Sequence, residues 1–226
     1  MKKFKNLDLA ALEAIRAWDE TEGKISNDLQ SISCVNTEFV KSFVKLWMLR
    51  SITIALADKD PSVRDQKYSK FAAELNNVVK PKIMSYSDQQ LPSEIQSIAE
   101  NMRDSGVTMK NGTKTLEISC VSKFAFCLRP EIIVPYDKTA RVALKEMYGT
   151  MHNDYSSYSN TFLKFKNEVD NELDMSGILK KHKLLWNPVM SENLFKIRTC
   201  DKLMMLNGGF NPALMERSIE KWLKKS

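Results

Sequence analysis

Apolar residues recur at three- and four-residue intervals along most of this chain, which is the spacing of one face of an α-helix. The first series comprises Leu7, Ala10, Ala11, Ala14, Ile15 and Trp18, and the second, after Thr37, comprises Phe39, Phe43, Leu46, Trp47, Ile54 and Leu56. A pattern typical of strands is limited to the short run EIIVP at 131–135. The sequence therefore predicts an all-α fold, with one helix through each series.

The chain shows no internal boundary between independently folding parts. Turn-forming residues cluster near 59–62, 89–93 and 206–212, but no long linker, low-complexity tract or internal repeat separates them. With 226 residues, 43% of them hydrophobic, the chain is long enough to bury a core without disulfides or metals. We therefore expect residues 1–226 to form a single helical unit.

Charge and cysteine usage narrow the classes of function. The 34 lysines and arginines exceed the 28 acidic residues, and the resulting net charge of +6 favours a polyanionic partner. The four cysteines are widely spaced and only two histidines are present, which argues against a zinc site. The beginning of the sequence lacks the apolar core of a signal peptide, and no stretch of about 18 apolar residues occurs. We expect a cytoplasmic monomer with reduced thiols, no membrane association and no metal or organic cofactor.

The stretch CVSKFAFCLRPEIIVPYDKTAR, residues 120–141, contains the candidate reactive groups of the chain, the amine of Lys123 and the carboxylate of Asp137. We expect a short helix over 113–118, a tight connection over 119–122, and a second helix with Lys123 near its start. Backbone N–H groups at such a start, beside Ser122, bind a DNA phosphate. The positive end of a helix and a dry pocket both favour a neutral amine, which is a nucleophile able to attack an anomeric carbon.

Asp137 follows 14 positions after Lys123 and comes directly after the segment Val134-Pro135-Tyr136. It stands where a helix cap is expected, before a helix that begins at residue 138 or 139 and ends at Gly149. Breaking an N-glycosidic bond builds positive charge on the sugar, and a fixed carboxylate stabilises that charge. An amine and a carboxylate together suit this reaction.

Ser122-Lys123, the segment 134–137 and Arg141 resemble the helix-hairpin-helix DNA glycosylases, in particular the lysine-bearing 8-oxoguanine type and its divergent bacterial relatives. The resemblance covers about residues 113–145. It implies a glycosylase-like fold of two closely packed helical subdomains. It also implies that Lys123 forms a Schiff base with the sugar and that Asp137 assists. The turn at 119–122 lacks the family's glycines, and the cysteines that would hold an iron–sulfur cluster are absent.

The implied partner is double-stranded DNA with a modified base, which such an enzyme flips out of the helix. The implied base is either an oxidised purine, as in DNA repair, or a hypermodified phage base such as glucosylated hydroxymethylcytosine, as in antiviral defence. Excision alone and excision followed by strand cleavage both remain open. The residues expected to line the base pocket are Tyr136, Phe124, Trp47 and Cys120, and those expected to contact the DNA backbone are Ser122, Lys110, Lys114, Lys138 and Arg141.

Two other classes of function fit the same residues. The chain is a non-catalytic DNA-binding module if the hairpin binds phosphates and no base is released. It is a helical interaction protein if its positive charge is incidental. Under either alternative Lys123 is an ordinary lysine at a helix start, and Asp137 is an ordinary helix cap.

Overall fold

The computed structural model describes residues 4–110, 113–150 and 152–225, and these are predominantly helical, which confirms the all-α prediction. In chain order the helices are α1 (Leu7–Ala17), α2 (Gly23–Ser31), α3 (Thr37–Leu46), α4 (Arg50–Leu56), α5 (Pro61–Glu74), α6 (Lys80–Ser85), α7 (Leu91–Asp104), α8 (Ile118–Leu128), α9 (Lys138–Tyr148), α10 (Tyr155–Met175), α11 (Ile178–His182), α12 (Glu192–Asn207) and α13 (Pro212–Leu223). π-Helical turns occupy Trp18–Glu22 and Leu75–Val79, and a 3-10 turn occupies Lys183–Leu185. Two short antiparallel strands, β1 (Met109–Lys110) and β2 (Thr113–Lys114), precede α8.

Contacts divide the chain into two compact units. The first, which we call the terminal unit, consists of the residues up to Lys24 and those from Tyr136 onward. The second, which we call the central unit, is Ile25–Pro135. No helix of the described ranges is long and apolar enough to cross a membrane.

The terminal unit is built around α12, which packs against α1, α9 and α10. Apolar residues of α12 such as Phe195, Cys200 and Leu203 are fully buried. The same helix also buries two charged side chains, which is unusual: Arg198 is 0% exposed and Asp201 is 4% exposed. Charges rarely lie inside a protein unless they are paired, so α12 requires partners from a neighbouring element.

Glu22, at the end of the π-helical turn that extends α1, supplies that partner. Its Oε1 atom accepts hydrogen bonds from Arg198 at 2.6 Å and from Lys202 at 2.8 Å, while Arg198 also pairs with Asp201 at 3.1 Å. Burial works to raise the pKa of Glu22, but the charges of Arg198 and Lys202 outweigh it and lower the pKa to about 2. Burial raises the pKa of Asp201, against the attraction of the same two cations.

Replacing Glu22 by glutamine is expected to destabilise the protein by about 3 kcal/mol at pH 7, because it leaves buried cations without their carboxylate. The pKa of Glu22 is about 2, below its ordinary value of 4.5, so its contribution is present above about pH 4.5 and is lost as the pH falls toward 2. The stability difference between wild type and Glu22→Gln should therefore shrink over that range. Urea unfolding at pH 7, 4 and 3 measures it.

Glu20→Gln is the matched control for this prediction. Glu20 lies on the same π-helical turn and pairs with Arg16 and Lys225, but it is more exposed than Glu22. Exposed ion pairs contribute little, so this variant should lose less than about 1 kcal/mol. Equal losses in the two variants would contradict the role assigned to the buried cluster.

The central unit is built around α8, which packs against α6 and α7. Ten of its side chains are buried, and the one that is not is Ser119. Phe124 contacts Phe39 and Phe43 of α3 edge to face, with ring centroids 6.5 and 5.7 Å apart. A helix that is apolar on all sides is typical of a core position, and α8 is the core helix of this unit.

Two of the predicted helices are wrong in their bounds. The helix predicted over 113–118 does not form, and only Ile118 is helical, as the first residue of α8. Thr113 and Lys114 form β2, and the backbone of Thr115 pairs with Thr108 while their hydroxyls bond each other's carbonyls. The connection predicted over 119–122 lies inside α8, since that stretch holds no glycine or proline to end the helix. The chain here is a β-hairpin followed by one helix, and the expected helical hairpin is absent from this segment.

The helix predicted through 37–56 is interrupted at residues 47–49, between α3 and α4. Met48 adopts a left-handed backbone with φ of 46°, and the amides of Met48 and Leu49 bond back to the carbonyls of Lys45 and Val44. This is the Schellman ending of a helix, in which glycine usually takes the left-handed position. Because methionine stands there instead, the sequence carries no signal for the break.

Candidate functional site

Lys123 lies in the middle of α8 and is 5% exposed. The expectation that it stands near a helix start is therefore wrong, and the positive end of a helix does not act on it. It is the only charged residue in the α8 sequence ISCVSKFAFCL. A buried ammonium is costly unless it has polar partners, so its surroundings determine whether α8 tolerates it.

Trp47 provides two contacts to this ammonium. The Nζ atom of Lys123 donates a hydrogen bond to the Trp47 carbonyl at 3.4 Å, and it faces the indole ring at 5.8 Å from the centroid. The indole in turn contacts Phe126 edge to face, with centroids 5.7 Å apart. The structure thus brings together the predicted nucleophile and one of the predicted pocket residues, although Trp47 lies 76 positions earlier in the chain.

Cys120 and Glu117 lie shortly before Lys123 in the chain. Cys120 is one turn earlier in α8 and fully buried, and burial raises the pKa of its thiol, as does the Glu117 carboxylate, while Lys123 acts in the opposite direction. Glu117 is 5% exposed and accepts a 2.6 Å hydrogen bond from Ser51. Cys120 therefore stays a neutral thiol, and an amine, a thiol and a carboxyl group lie along one short segment.

The remaining predicted residues of this segment have structural positions. Phe124 is fully buried among the rings of α3, and Ser122 is fully buried inside α8 with its hydroxyl bonded to the Ser119 carbonyl at 3.1 Å. Neither is a surface residue, so Ser122 cannot present a helix start to phosphate. Lys114 is exposed and donates to the Asp104 carbonyl at 2.7 Å, while the side chain of Lys110 lies outside the described part of the chain.

Asp137 belongs to the terminal unit and caps α9, as predicted. Its carboxylate accepts a 2.8 Å hydrogen bond from the amide of Thr139, and Gly149 ends the helix with φ of 80°. Burial raises the pKa of Tyr158, and negative charge on Asp201 and Asp137 adds to that effect. Asp137 likewise adds to the raised pKa of Asp201. Within this unit, the charge of Asp137 thus affects the pKa of both Tyr158 and Asp201.

Gly208, at the end of α12, fixes the first turn of α9. A methyl group at Gly208 would lie 2.3 Å from the Thr139 carbonyl oxygen and 3.1 Å from its carbonyl carbon, which backbone atoms cannot yield to. Its backbone φ of −83° is open to any residue, so the requirement for glycine is steric. This close approach holds in place the same turn whose amide Asp137 binds.

Tyr136 and Arg141 form a polar pair beside that cap. Arg141 donates to the Tyr136 hydroxyl at 2.8 Å and lies over its ring at 4.9 Å, and Tyr136 donates to the His152 carbonyl at 3.0 Å. Tyr136 is 5% exposed and packs against Tyr155 and Tyr158. It is a core residue of the terminal unit with a bonded hydroxyl.

Of the backbone contacts predicted at the start of α9, Lys138 is exposed and Arg141 is half-buried. Lys138 is therefore open to a partner molecule, whereas Arg141 is engaged with Tyr136. Among the described residues, no group of three or more histidine, cysteine, aspartate or glutamate side chains is arranged to hold a metal ion.

Comparisons of the chain with protein-family models, with curated proteins and with solved structures found no match. What the chain does is therefore inferred from the chemistry of its own residues. The groups best suited to take part in a reaction are the buried amine of Lys123 in the central unit and the capping carboxylate of Asp137 in the terminal unit.

Sequence reasoning missed Glu117 and Tyr158. Glu117 could not be identified because its partner Ser51 lies 66 positions earlier. Tyr158 could not be identified because tyrosines at helical spacing are usually core residues. A sequence signal exists for Glu117, since it directly precedes an apolar run of eleven residues broken only by serines and Lys123. No comparable signal marks Tyr158.

Replacing Asp137 by alanine and by asparagine distinguishes the contribution of its capping hydrogen bond from the contribution of its charge. Both variants remove the charge, but only asparagine keeps an oxygen that accepts from the Thr139 amide. Asp137→Ala should therefore be about 1 kcal/mol less stable than Asp137→Asn. Asp154 caps α10 through the Ser157 amide, and the same pair of substitutions there should give a similar difference by urea unfolding. No difference at Asp137 would mean that its hydrogen bond does not stabilise α9.

Proposed function

We propose that this protein is a DNA glycosylase that flips a modified base out of the duplex, cleaves its N-glycosidic bond and leaves an abasic site. The observation that carries the proposal is Lys123, a single amine buried in the apolar core helix of the central unit. Lysine is rarely buried, and a buried amine surrounded by an aromatic ring and a carbonyl is the type of group that enzymes use as a nucleophile.

In the proposed reaction the ammonium of Lys123 first gives its proton to water, and the resulting amine attacks carbon C1′ of the flipped nucleotide. The bond between C1′ and the base nitrogen breaks, its electron pair leaves with the base, and the base takes up a proton. Loss of the amine proton and opening of the sugar ring give an imine between Nζ and C1′. Water hydrolyses the imine, which returns the amine and leaves the abasic site. Removal of a C2′ proton before hydrolysis expels the 3′ phosphate and nicks the strand.

Asp137 has the complementary role in this proposal. Positive charge grows on the sugar as the base leaves, and a carboxylate held by a helix amide stabilises it. Asp137 also contributes to the raised pKa values of Tyr158 and Asp201, so its negative charge acts on neighbouring groups of the terminal unit. If Lys123 stays protonated, water is the nucleophile and Asp137 orients it, and the enzyme then cleaves no strand.

The proposed substrate is a modified base in double-stranded DNA, either an oxidised purine or a hypermodified phage base such as glucosylated hydroxymethylcytosine. The first assigns the protein to DNA repair and the second to antiviral defence. We propose that it acts as a monomer in the cytoplasm. The net charge of +6 supports a polyanionic substrate.

Base release from a panel of DNA duplexes tests the proposal. The panel contains 8-oxoguanine, uracil, methylated bases and glucosylated hydroxymethylcytosine, and the free base is measured by mass spectrometry. Wild type should release one of them. Lys123→Gln keeps a donor for the Trp47 carbonyl but no nucleophile, and release should fall by about 10³-fold or more. Asp137→Asn keeps the cap and should reduce release by about 10²- to 10⁴-fold.

Two substitutions serve as controls for this measurement. Asp154→Asn changes an equivalent cap on α10, and Lys221→Gln removes an exposed lysine from α13, so both should release base at the wild-type rate. Borohydride reduction should trap wild type, but not Lys123→Gln, covalently on the reactive duplex. Binding of DNA without release of any base would replace the enzyme by a DNA-binding module, and the absence of DNA binding would favour a helical interaction protein.

A further inference from the structure

A pocket of about 380 Å³ opens on the central unit, away from the residues used above, and it combines positive charge with apolar surface. We call it the basic groove, and its lining residues are Lys41, Val44, Lys45, Met48, Arg50, Thr53 and Tyr68. The volume lies within the range of pockets that hold small ligands or part of a larger one. Three of the seven lining residues are cationic, and none is acidic.

Two of the three cations have no carboxylate partner among the described residues. Lys41 is the exception, since it pairs with Glu38 at 2.9 Å and Asp65 at 3.8 Å and lies over the Tyr68 ring at 5.8 Å. Lys45 and Arg50 are exposed and form no ion pair with any described acidic residue. These two cations therefore present uncompensated charge to the groove.

Met48 is the second unusual feature of the groove. It is 77% exposed and adopts a left-handed backbone with φ of 46°, a conformation that costs free energy in any residue with a β-carbon. Because the side chain is exposed, its burial offsets little of that free-energy cost. Strained residues that lack a packing role concentrate at ligand-binding sites, and Met48 lies between Lys45 and Arg50 in the sequence.

We propose that the basic groove binds the sugar–phosphate backbone of duplex DNA. Lys45 and Arg50 neutralise phosphates, and Met48 and Val44 contact the apolar faces of the deoxyriboses. A phosphodiester backbone carries both anionic and apolar groups, and the lining of the groove carries both cationic and apolar side chains. A free inorganic anion has no apolar part that could contact the exposed methionine.

The groove binds DNA whether or not Lys123 is a nucleophile, so the inference goes beyond the proposed function. The two are tested separately because groove binding is measured on an unmodified duplex from which no base is released. A protein that binds this duplex through the groove but releases no base from the panel would retain the inference and lose the glycosylase proposal.

The test measures the dissociation constant for a 20-base-pair unmodified duplex by fluorescence anisotropy at several salt concentrations. The double variant Lys45→Ala/Arg50→Ala should weaken binding roughly tenfold near 100 mM salt. The slope of log K against log salt should become shallower by about two, because each lost phosphate contact removes about 0.9 from it. An unchanged slope would overturn the proposal.

The control is Lys221→Ala/Lys224→Ala, which removes the same charge from α13 and its end, in the terminal unit. It should change the slope by less than half as much as the groove variant. Equal effects would mean that only net charge matters, which also overturns the proposal. Tighter binding of an RNA duplex of the same sequence would reject DNA as the occupant.

Met48→Gly tests the apolar contact independently of charge. Glycine accepts the left-handed backbone without strain, so the midpoint of thermal unfolding should not fall. Affinity for the duplex should fall severalfold while the salt slope stays that of wild type, because no phosphate contact is lost. Wild-type affinity in this variant would remove Met48 from the proposed contact.

Discussion

The buried ammonium of Lys123 is the constraint on which the central unit depends. The helix that carries it is otherwise apolar and forms the core of that unit, so the charge needs polar partners that do not open the core to water. The carbonyl and ring of Trp47 supply such partners without adding an exposed polar surface. The carbonyl is available because Trp47 caps the end of α3, where the last carbonyls of a helix lack helical partners. The break in the predicted helix and the accommodation of the lysine are thus one arrangement.

The buried charges of the terminal unit are stabilised in a different way. Arg198 and Lys202 share the carboxylate of Glu22, so attraction and hydrogen bonds offset the desolvation of all three groups. Asp137 is held instead by a backbone amide at the start of α9, and Gly208 fixes that turn by close approach. Glu22, which is shared by two buried cations, is therefore a structural residue, and a catalytic role for Asp137 belongs to the proposed function.

The sequence predicted those parts of the fold whose signals are local. Asp137 and Gly149 mark both ends of α9 because caps act within one turn of the helix. The helix expected at 113–118 failed because threonines at 108 and 115 pair across a hairpin, which periodicity does not detect. Of the candidate site, Lys123 and Asp137 were visible as residues, and their roles remain predictions. The contact of Lys123 with Trp47 was not predictable, since it joins elements 76 positions apart.

The turn at 47–49 serves two purposes with adjacent residues. Its backbone presents the Trp47 carbonyl to Lys123, and its next side chain, Met48, projects into the basic groove. The bonds from Met48 and Leu49 back into α3 fix both features at once, because they set the direction of the carbonyl and of the β-carbon together. One turn therefore holds both a lining residue of the groove and the hydrogen-bond acceptor of Lys123.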